Sequence, residues 1–218
     1  MPLFIAFAAC ALAALLASSA LLPEPLYWVL KPLTLGLVIA HAWRRGVPAA
    51  GGRGALLAGL LLSLAGDIAL LWPQQGFLPG LVAFLLAHLA YLFAFTRGAR
   101  LFARAAPFVS YALVAGSVLA WLWPGVPAGL RLPVLMYVAC LAAMAAQAAA
   151  AWLQQRGTPA EALARRAATG GLLFVLSDSL LATNRFGHPL PAASWWILLS
   201  YWAAQWLIAS SLPPRRPD

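Results

Sequence analysis

Charge is what this 218-residue sequence has least of: charged side chains make up 9% of it, the acids number five, and there is a single lysine, Lys31. A soluble domain of this length needs a polar shell, for which charged residues ordinarily supply about 25% of the chain. Cysteine is scarce as well. Cys10 and Cys140 stand alone inside apolar runs, which excludes a disulfide framework and a CxxC redox or metal pair. Also missing are a G-x-S-x-G nucleophile elbow, an H-E-x-x-H zinc motif and a glycine-rich phosphate loop. A soluble enzyme, a secreted scaffold and a disordered tail are thereby excluded. What is present is apolar: 64% of the residues are hydrophobic and the mean hydropathy is +0.87. The Ala/Leu-rich runs, each about twenty residues long, match a hydrocarbon core of roughly 30 Å.

Breakers such as Pro23-Glu24-Pro25, Pro73 to Gly76 and Pro124 to Arg131 divide the chain into eight expected membrane helices, at 3–22, 26–43, 54–72, 77–96, 105–123, 132–153, 167–184 and 193–212. The connections are too short for a soluble domain. The expected fold is therefore all-α, a polytopic helical bundle forming a single transmembrane domain over residues 1–218. Gly66-Asp67-Ile68-Ala69-Leu70-Leu71 returns four spans later as Ser177-Asp178-Ser179-Leu180-Leu181. That echo predicts a four-plus-four pseudo-repeat.

Eleven arginines, Arg44, Arg45, Arg53, Arg97, Arg100, Arg104, Arg156, Arg165, Arg166, Arg215 and Arg216, follow the even-numbered spans, against Arg131 and Arg185 on the other side. The positive-inside rule then places both termini in the cytoplasm, and the Ala/Arg-rich composition suits a bacterial inner membrane. Clusters of this kind orient a membrane protein and contact anionic lipids, and no nucleic-acid partner is expected. Trp28, Trp72, Trp121, Trp123, Trp195 and Trp196 lie near the opposite ends of their spans, as an interfacial belt does. His41 and His188 fall at span ends, where solvation is the simple reading.

The informative residues are the polar ones within spans. Lys31, Asp67 and Asp178 each cost about 2.5–3.5 kcal/mol near a helix centre, a penalty kept only where something offsets or uses it. All three lie about 4–6 Å from the midpoints of their spans, toward the tryptophan-bearing side. His88 and Tyr91 share a helical face with Gly80, Phe84 and Phe95; Gly171, Phe174, Asp178, Leu181 and Arg185 form another, with Ser177 and Asn184 beside it. Tyr137 sits at a similar level, and Tyr201 and Gln205 are one turn apart. A polar chamber opening outward would house them all. The plainer reading makes Lys31 and one aspartate a structural ion pair, and makes His88, the tyrosines and Gln205 interhelical hydrogen-bonding groups. Two carboxylates against one lysine leave an acid unbalanced, however, which argues for more than a staple. Gly59, Ser63 and Gly66 read as close helix packing. His88, Asp67 and Asp178 are a thin set of ligands drawn from three helices, and no metal or other cofactor is expected.

Lys31-Pro32-Leu33-Thr34, Gly66-Asp67, His88-x-x-Tyr91 with Phe95, Gly170-Gly171, Ser177-Asp178-Ser179-Leu180-Leu181-Ala182, Asn184-Arg185-Phe186 and Tyr201-x-x-x-Gln205 together resemble the YhhN family of integral membrane proteins. The resemblance runs from about residue 26 to 210 and leaves the first span without a family motif. It implies a lysoplasmalogenase, which hydrolyses the vinyl ether of an alkenyl lysophospholipid to a fatty aldehyde and a glycerophospho-headgroup. By position it implies that Asp67 and Asp178 are catalytic and that Lys31, His88, Tyr91, Tyr137, Asn184, Arg185, Tyr201 and Gln205 line the substrate site. The chemistry agrees with the polar pattern. A vinyl ether is cleaved by protonating its β-carbon and adding water to the resulting oxocarbenium ion, work that one protonated and one ionised carboxyl can divide. The expected partners are a lysophospholipid substrate and membrane lipids. Two other readings stay open: a hydrolase of a different lysolipid, and a proton-coupled transporter or lipid carrier with Asp67, Lys31 and Asp178 as its proton relay.

Overall fold

The computed structural model of the protein describes residues 2–46, 52–97 and 99–214. Arg215, Arg216 and Asp218 lie outside the described residues. Those described form eight α-helices: α1 (Pro2–Ser18), α2 (Glu24–Trp43), α3 (Gly52–Ala69), α4 (Phe77–Thr96), α5 (Ala105–Leu122), α6 (Arg131–Gln155), α7 (Glu161–Phe186) and α8 (Ala193–Ser210). Two 3-10 turns, Trp123–Gly125 and Ala128–Leu130, join α5 to α6, and no strand occurs among the described residues.

Helix ends follow local chemistry more closely than hydropathy. α7 starts at Glu161, ahead of the apolar run that begins at 167, because Glu161 accepts the Gly157 N–H at 2.8 Å and an acid in the first turn suits a helix N-terminus. That hydrogen bond holds the Glu161 carboxyl below the usual carboxylate range. α1 stops early. Ser18 turns its hydroxyl back to the Leu15 carbonyl and Ala20 takes a left-handed φ of 57°, so residues 19–22 form a turn.

α2, α3, α4, α5 with its following turn, and α6 are long and apolar enough to cross a membrane, and the protein is an integral membrane protein. α1 is apolar but has only 17 residues. Large apolar side chains such as Ile5, Leu61, Val82, Leu113 and Leu172 are exposed around the bundle, an arrangement that suits lipid and not water. One end is rich in tryptophan: Trp28 packs edge-on against Trp72 at 5.2 Å, and Trp195 donates to Ser19. The other end is rich in arginine. There Arg45 donates to the Leu212 carbonyl and Gly46 N–H to that of Pro213, tying the end of α2 to the end of α8.

Small residues set how closely the helices approach. A Cβ on Gly59 would lie 2.3 Å from the Tyr91 ring, and one on Gly66 would lie 2.6 Å from that of Phe84, so α3 and α4 are locked face to face. The Gly170-Gly171 pair does the same for two neighbours at once: Gly170 lies against Ile208 and the Ala204 carbonyl of α8, Gly171 against Ala145 of α6. α6 lies at the centre of the bundle, with eleven of its residues buried, whereas α5 buries only Pro107 and Leu122. Buried Gln147 of α6 donates to the carbonyls of Ala99 and Arg100, anchoring the connection into α5. His41 departs from expectation. It is half-buried, stacks on Trp206 at 4.2 Å and lies 3.0 Å from Ser210 Oγ, because α8 turns an aromatic face toward it.

Candidate active site

The two intramembrane aspartates occupy different surroundings. Asp67 on α3 is enclosed, 2% exposed, with its Oδ1 3.7 Å from Lys31 Nζ of α2 and its Oδ2 accepting the Tyr201 hydroxyl of α8 at 2.8 Å. Lys31 is itself only 5% exposed and lies 5.9 Å from the centre of the Tyr27 ring. One turn further along α8, Gln205 accepts the Tyr91 hydroxyl at 2.8 Å, and Tyr91 lies 3.4 Å from Ser63. Lys31, Asp67, Tyr201, Gln205, Tyr91 and Ser63 thus form two adjoining polar layers joining α2, α3, α4 and α8. The positive charge of Lys31 balances the negative charge of Asp67 where water is excluded.

Asp178 on α7 accepts the hydroxyl of Tyr137 from α6. Its carboxyl borders a cavity of about 90 Å³ between α4, α5, α6 and α7. The walls are apolar, formed by residues such as Phe77, Leu81, Val118, Leu119 and Val138; the polar lining is Tyr137, Asp178, Ser179 and, at the tryptophan-rich end, Arg185. The Arg185 guanidinium lies over the Phe77 ring at 4.9 Å and makes no ion pair among the described residues.

Aromatic rings stand between the two carboxylates. Phe174 packs edge-on against Tyr201 at 5.5 Å and against His88 at 4.6 Å; His88 in turn meets Tyr137 at 5.2 Å, and Phe84 closes on both Phe174 and Tyr201. The expected single chamber is therefore two compartments that share a wall. His88 is fully buried and, among the described residues, neither of its ring nitrogens has a hydrogen-bond partner, which makes it the unpaired polar group of that wall.

Of the residues expected to line the site, Asp178, Tyr137 and Arg185 line the cavity, whereas Lys31, Asp67, Tyr91, Tyr201 and Gln205 belong to the enclosed cluster. Asn184 does neither. Its Oδ1 accepts the Leu190 N–H at 2.9 Å and shapes the α7–α8 connection. The cavity residues of α5, Ala115, Val118, Leu119 and Leu122, escape sequence reasoning because nothing separates them from the surrounding Ala/Leu background. Among the described residues no three His, Cys, Asp or Glu side chains converge as metal ligands would.

The fold and the site define an all-helical membrane protein with one enclosed carboxylate and another at the wall of an apolar cavity. Its sequence relationships agree. The chain belongs to the YhhN family, which it matches over residues 26–212, so that α1 lies ahead of the matched region. It is 39% identical over 185 residues to a lysoplasmalogenase of Sus scrofa, covering 80% of this chain and 72% of the relative. A lysoplasmalogenase of Mycobacterium tuberculosis is 35% identical over 165 residues, 71% of this chain and 59% of the relative. An uncharacterized membrane protein YhhN of Escherichia coli is 30% identical over 187 residues, 85% of this chain and 86% of the relative. No solved structure matches the chain significantly.

Proposed function

We propose that the protein is a lysoplasmalogenase, an ether hydrolase that takes an alkenyl lysophospholipid from the membrane and releases a fatty aldehyde and a glycerophospho-headgroup. The observation that carries this reading is the Asp178 carboxyl, held by Tyr137 at the wall of an apolar cavity with an unpaired arginine at one end. A lysolipid has the matching order of parts: an anionic phosphate for Arg185, a short glycerol unit, the vinyl ether and then hydrocarbon. Identity to curated lysoplasmalogenases over most of the chain supports the same conclusion.

Asp178 is the proposed catalytic residue. Its carboxylic acid gives a proton to the β-carbon of the vinyl ether, and the adjoining carbon becomes an oxocarbenium ion. The resulting carboxylate then takes a proton from water as the water oxygen adds to that carbon. The hemiacetal collapses, the glycerol oxygen leaves with a proton, and the aldehyde keeps the oxygen of water. Asp67 is the proposed positioning residue. Balanced by Lys31, it fixes Tyr201, which with Phe174 and His88 forms the wall behind Asp178.

All eight helices are proposed to cross the bacterial inner membrane as one domain, with α1–α4 and α5–α8 as halves of a pseudo-repeat. Both termini and the arginine-rich end then face the cytoplasm, and the Arg185 end of the cavity faces outward. The test of function is product formation by purified protein in detergent against a panel of lysolipids. Aldehyde released from alkenyl substrates without any gradient is the expected result. Transport across a vesicle membrane with no product would instead favour a carrier, and cleavage of acyl but not alkenyl lysolipids would favour a different hydrolase.

A further inference from the structure

We propose that the gap between α4 and α5 is a lateral opening to the bilayer, through which the substrate's hydrocarbon chain reaches Asp178 and out of which much of that chain still extends during turnover. This rests on the lysolipid reading of the cavity and adds where the chain goes.

Three observations carry it. First, among the described residues the backbone of α5 runs close to that of α6 and meets that of α7 but does not run close along α4. The α5–α7 contact lies at the tryptophan-rich end, where Gly125 abuts the Phe186 carbonyl and Leu122 lies against Gly187. Second, the sides of the gap are apolar stripes at helical spacing, Phe77, Leu81 and Phe84 on α4 facing Ala115, Val118 and Leu119 on α5, and all of them line the cavity. Third, the enclosed space is too short for a lipid chain. From Asp178 to Arg185 is seven residues, about 10 Å along α7, enough for the glycerophosphate. In the other direction the cavity lining ends at Val175 on α7, about 5 Å away, and at Ala142 on α6, five residues past Tyr137 or about 8 Å. A lipid chain ordinarily spans half of a core about 30 Å thick, so much of it cannot fit beyond Asp178 and must leave sideways. α5, with only two buried residues, is the element that can border such an exit without unpacking the core.

The opening predicts how the chain is sensed. Purified full-length protein is assayed on lysolipids carrying a hexadecenyl or a butenyl chain. Ala115→Phe, which pushes a ring into the gap, is expected to lower kcat/KM for the hexadecenyl substrate by at least about tenfold more than for the butenyl one. Leu113→Phe, on the exposed side of α5, is expected to leave the ratio unchanged. Equal losses on both substrates, or no loss, in an inserted and monodisperse Ala115→Phe protein would overturn the opening. Wild-type protein that cleaves neither substrate would instead overturn the lysoplasmalogenase reading. A second measurement needs no turnover: a lysolipid with a photoreactive diazirine a few carbons beyond its vinyl ether, where the chain would pass through the gap, is bound to wild-type protein and illuminated. Labels on Leu81 and Leu119 peptides are expected, and labels confined to α6 and α7 would place the chain inside the bundle and refute the exit.

Discussion

Asp178 and Asp67 differ in what touches them, and the difference predicts different behaviour on substitution. Asp178→Asn keeps the size and hydrogen bonding of the side chain but removes the transferable proton, so aldehyde release should fall by about 10²–10⁴-fold while the protein remains inserted and monodisperse. Tyr137→Phe removes the hydroxyl that orients this carboxyl and should cause a smaller loss, mainly in kcat. Lys31→Met leaves the Asp67 charge buried and unpaired, for which the expected loss of stability is about 3–5 kcal/mol. The double variant Lys31→Met/Asp67→Asn removes both charges and should regain much of the melting temperature lost by Lys31→Met alone. A double variant no more stable than the single one would mean that the pair does not stabilise the bundle. Isotopes report the bond that breaks. Turnover in deuterated water should place deuterium on the carbon beside the aldehyde, and a substrate labelled with heavy oxygen in its ether should pass that oxygen to the glycerophospho product. Ether oxygen recovered in a rapidly reduced aldehyde would refute protonation by Asp178 followed by water attack.

Among the elements, α7 does the most. Its residues Gly170 and Gly171 bring α8 and α6 close, Phe174 builds the wall between the carboxylates, Asp178 supplies the acid and Arg185 closes the cavity end. Gly170→Ala would set a Cβ 3.0 Å from the Ala204 carbonyl oxygen and 2.7 Å from Ile208 Cγ1. Overpacking of this kind costs about 1–3 kcal/mol, seen as a lower melting temperature. Gly116→Ala on peripheral α5 meets nothing within 4 Å and should leave that temperature unchanged. The helical face holding Phe174, Asp178 and Arg185 was legible from spacing alone, because a helix places such residues on one side whatever it packs against. Which face of α5 lines the cavity was not legible, since apolar residues surround that helix on every side.

At the scale of the whole molecule, the two ends of the bundle differ in chemistry, and that difference predicts orientation. Cysteines introduced at residue 74, in the α3–α4 connection, should react with an impermeant thiol reagent added outside intact cells, and cysteines introduced after Arg156 should react only after lysis. The reverse pattern would turn the cavity end to the cytoplasm. Composition and spacing along the chain dictate the helical class, the positions of the breakers, the asymmetry of arginine and the short set of polar residues within spans. Each of these depends on local composition and spacing, and a bilayer requires long apolar helices with few charges. Helix packing settles that Lys31 pairs with Asp67, that Tyr201 and Tyr137 serve different aspartates, that aromatic rings stand between them and that Asn184 turns to the α7–α8 connection. The physical reason is contact. Periodicity gives the face of a helix and the depth of a residue along it, but helices at the same depth can be neighbours or strangers, and small residues at Gly59, Gly66 and Gly170 select the pairs that touch.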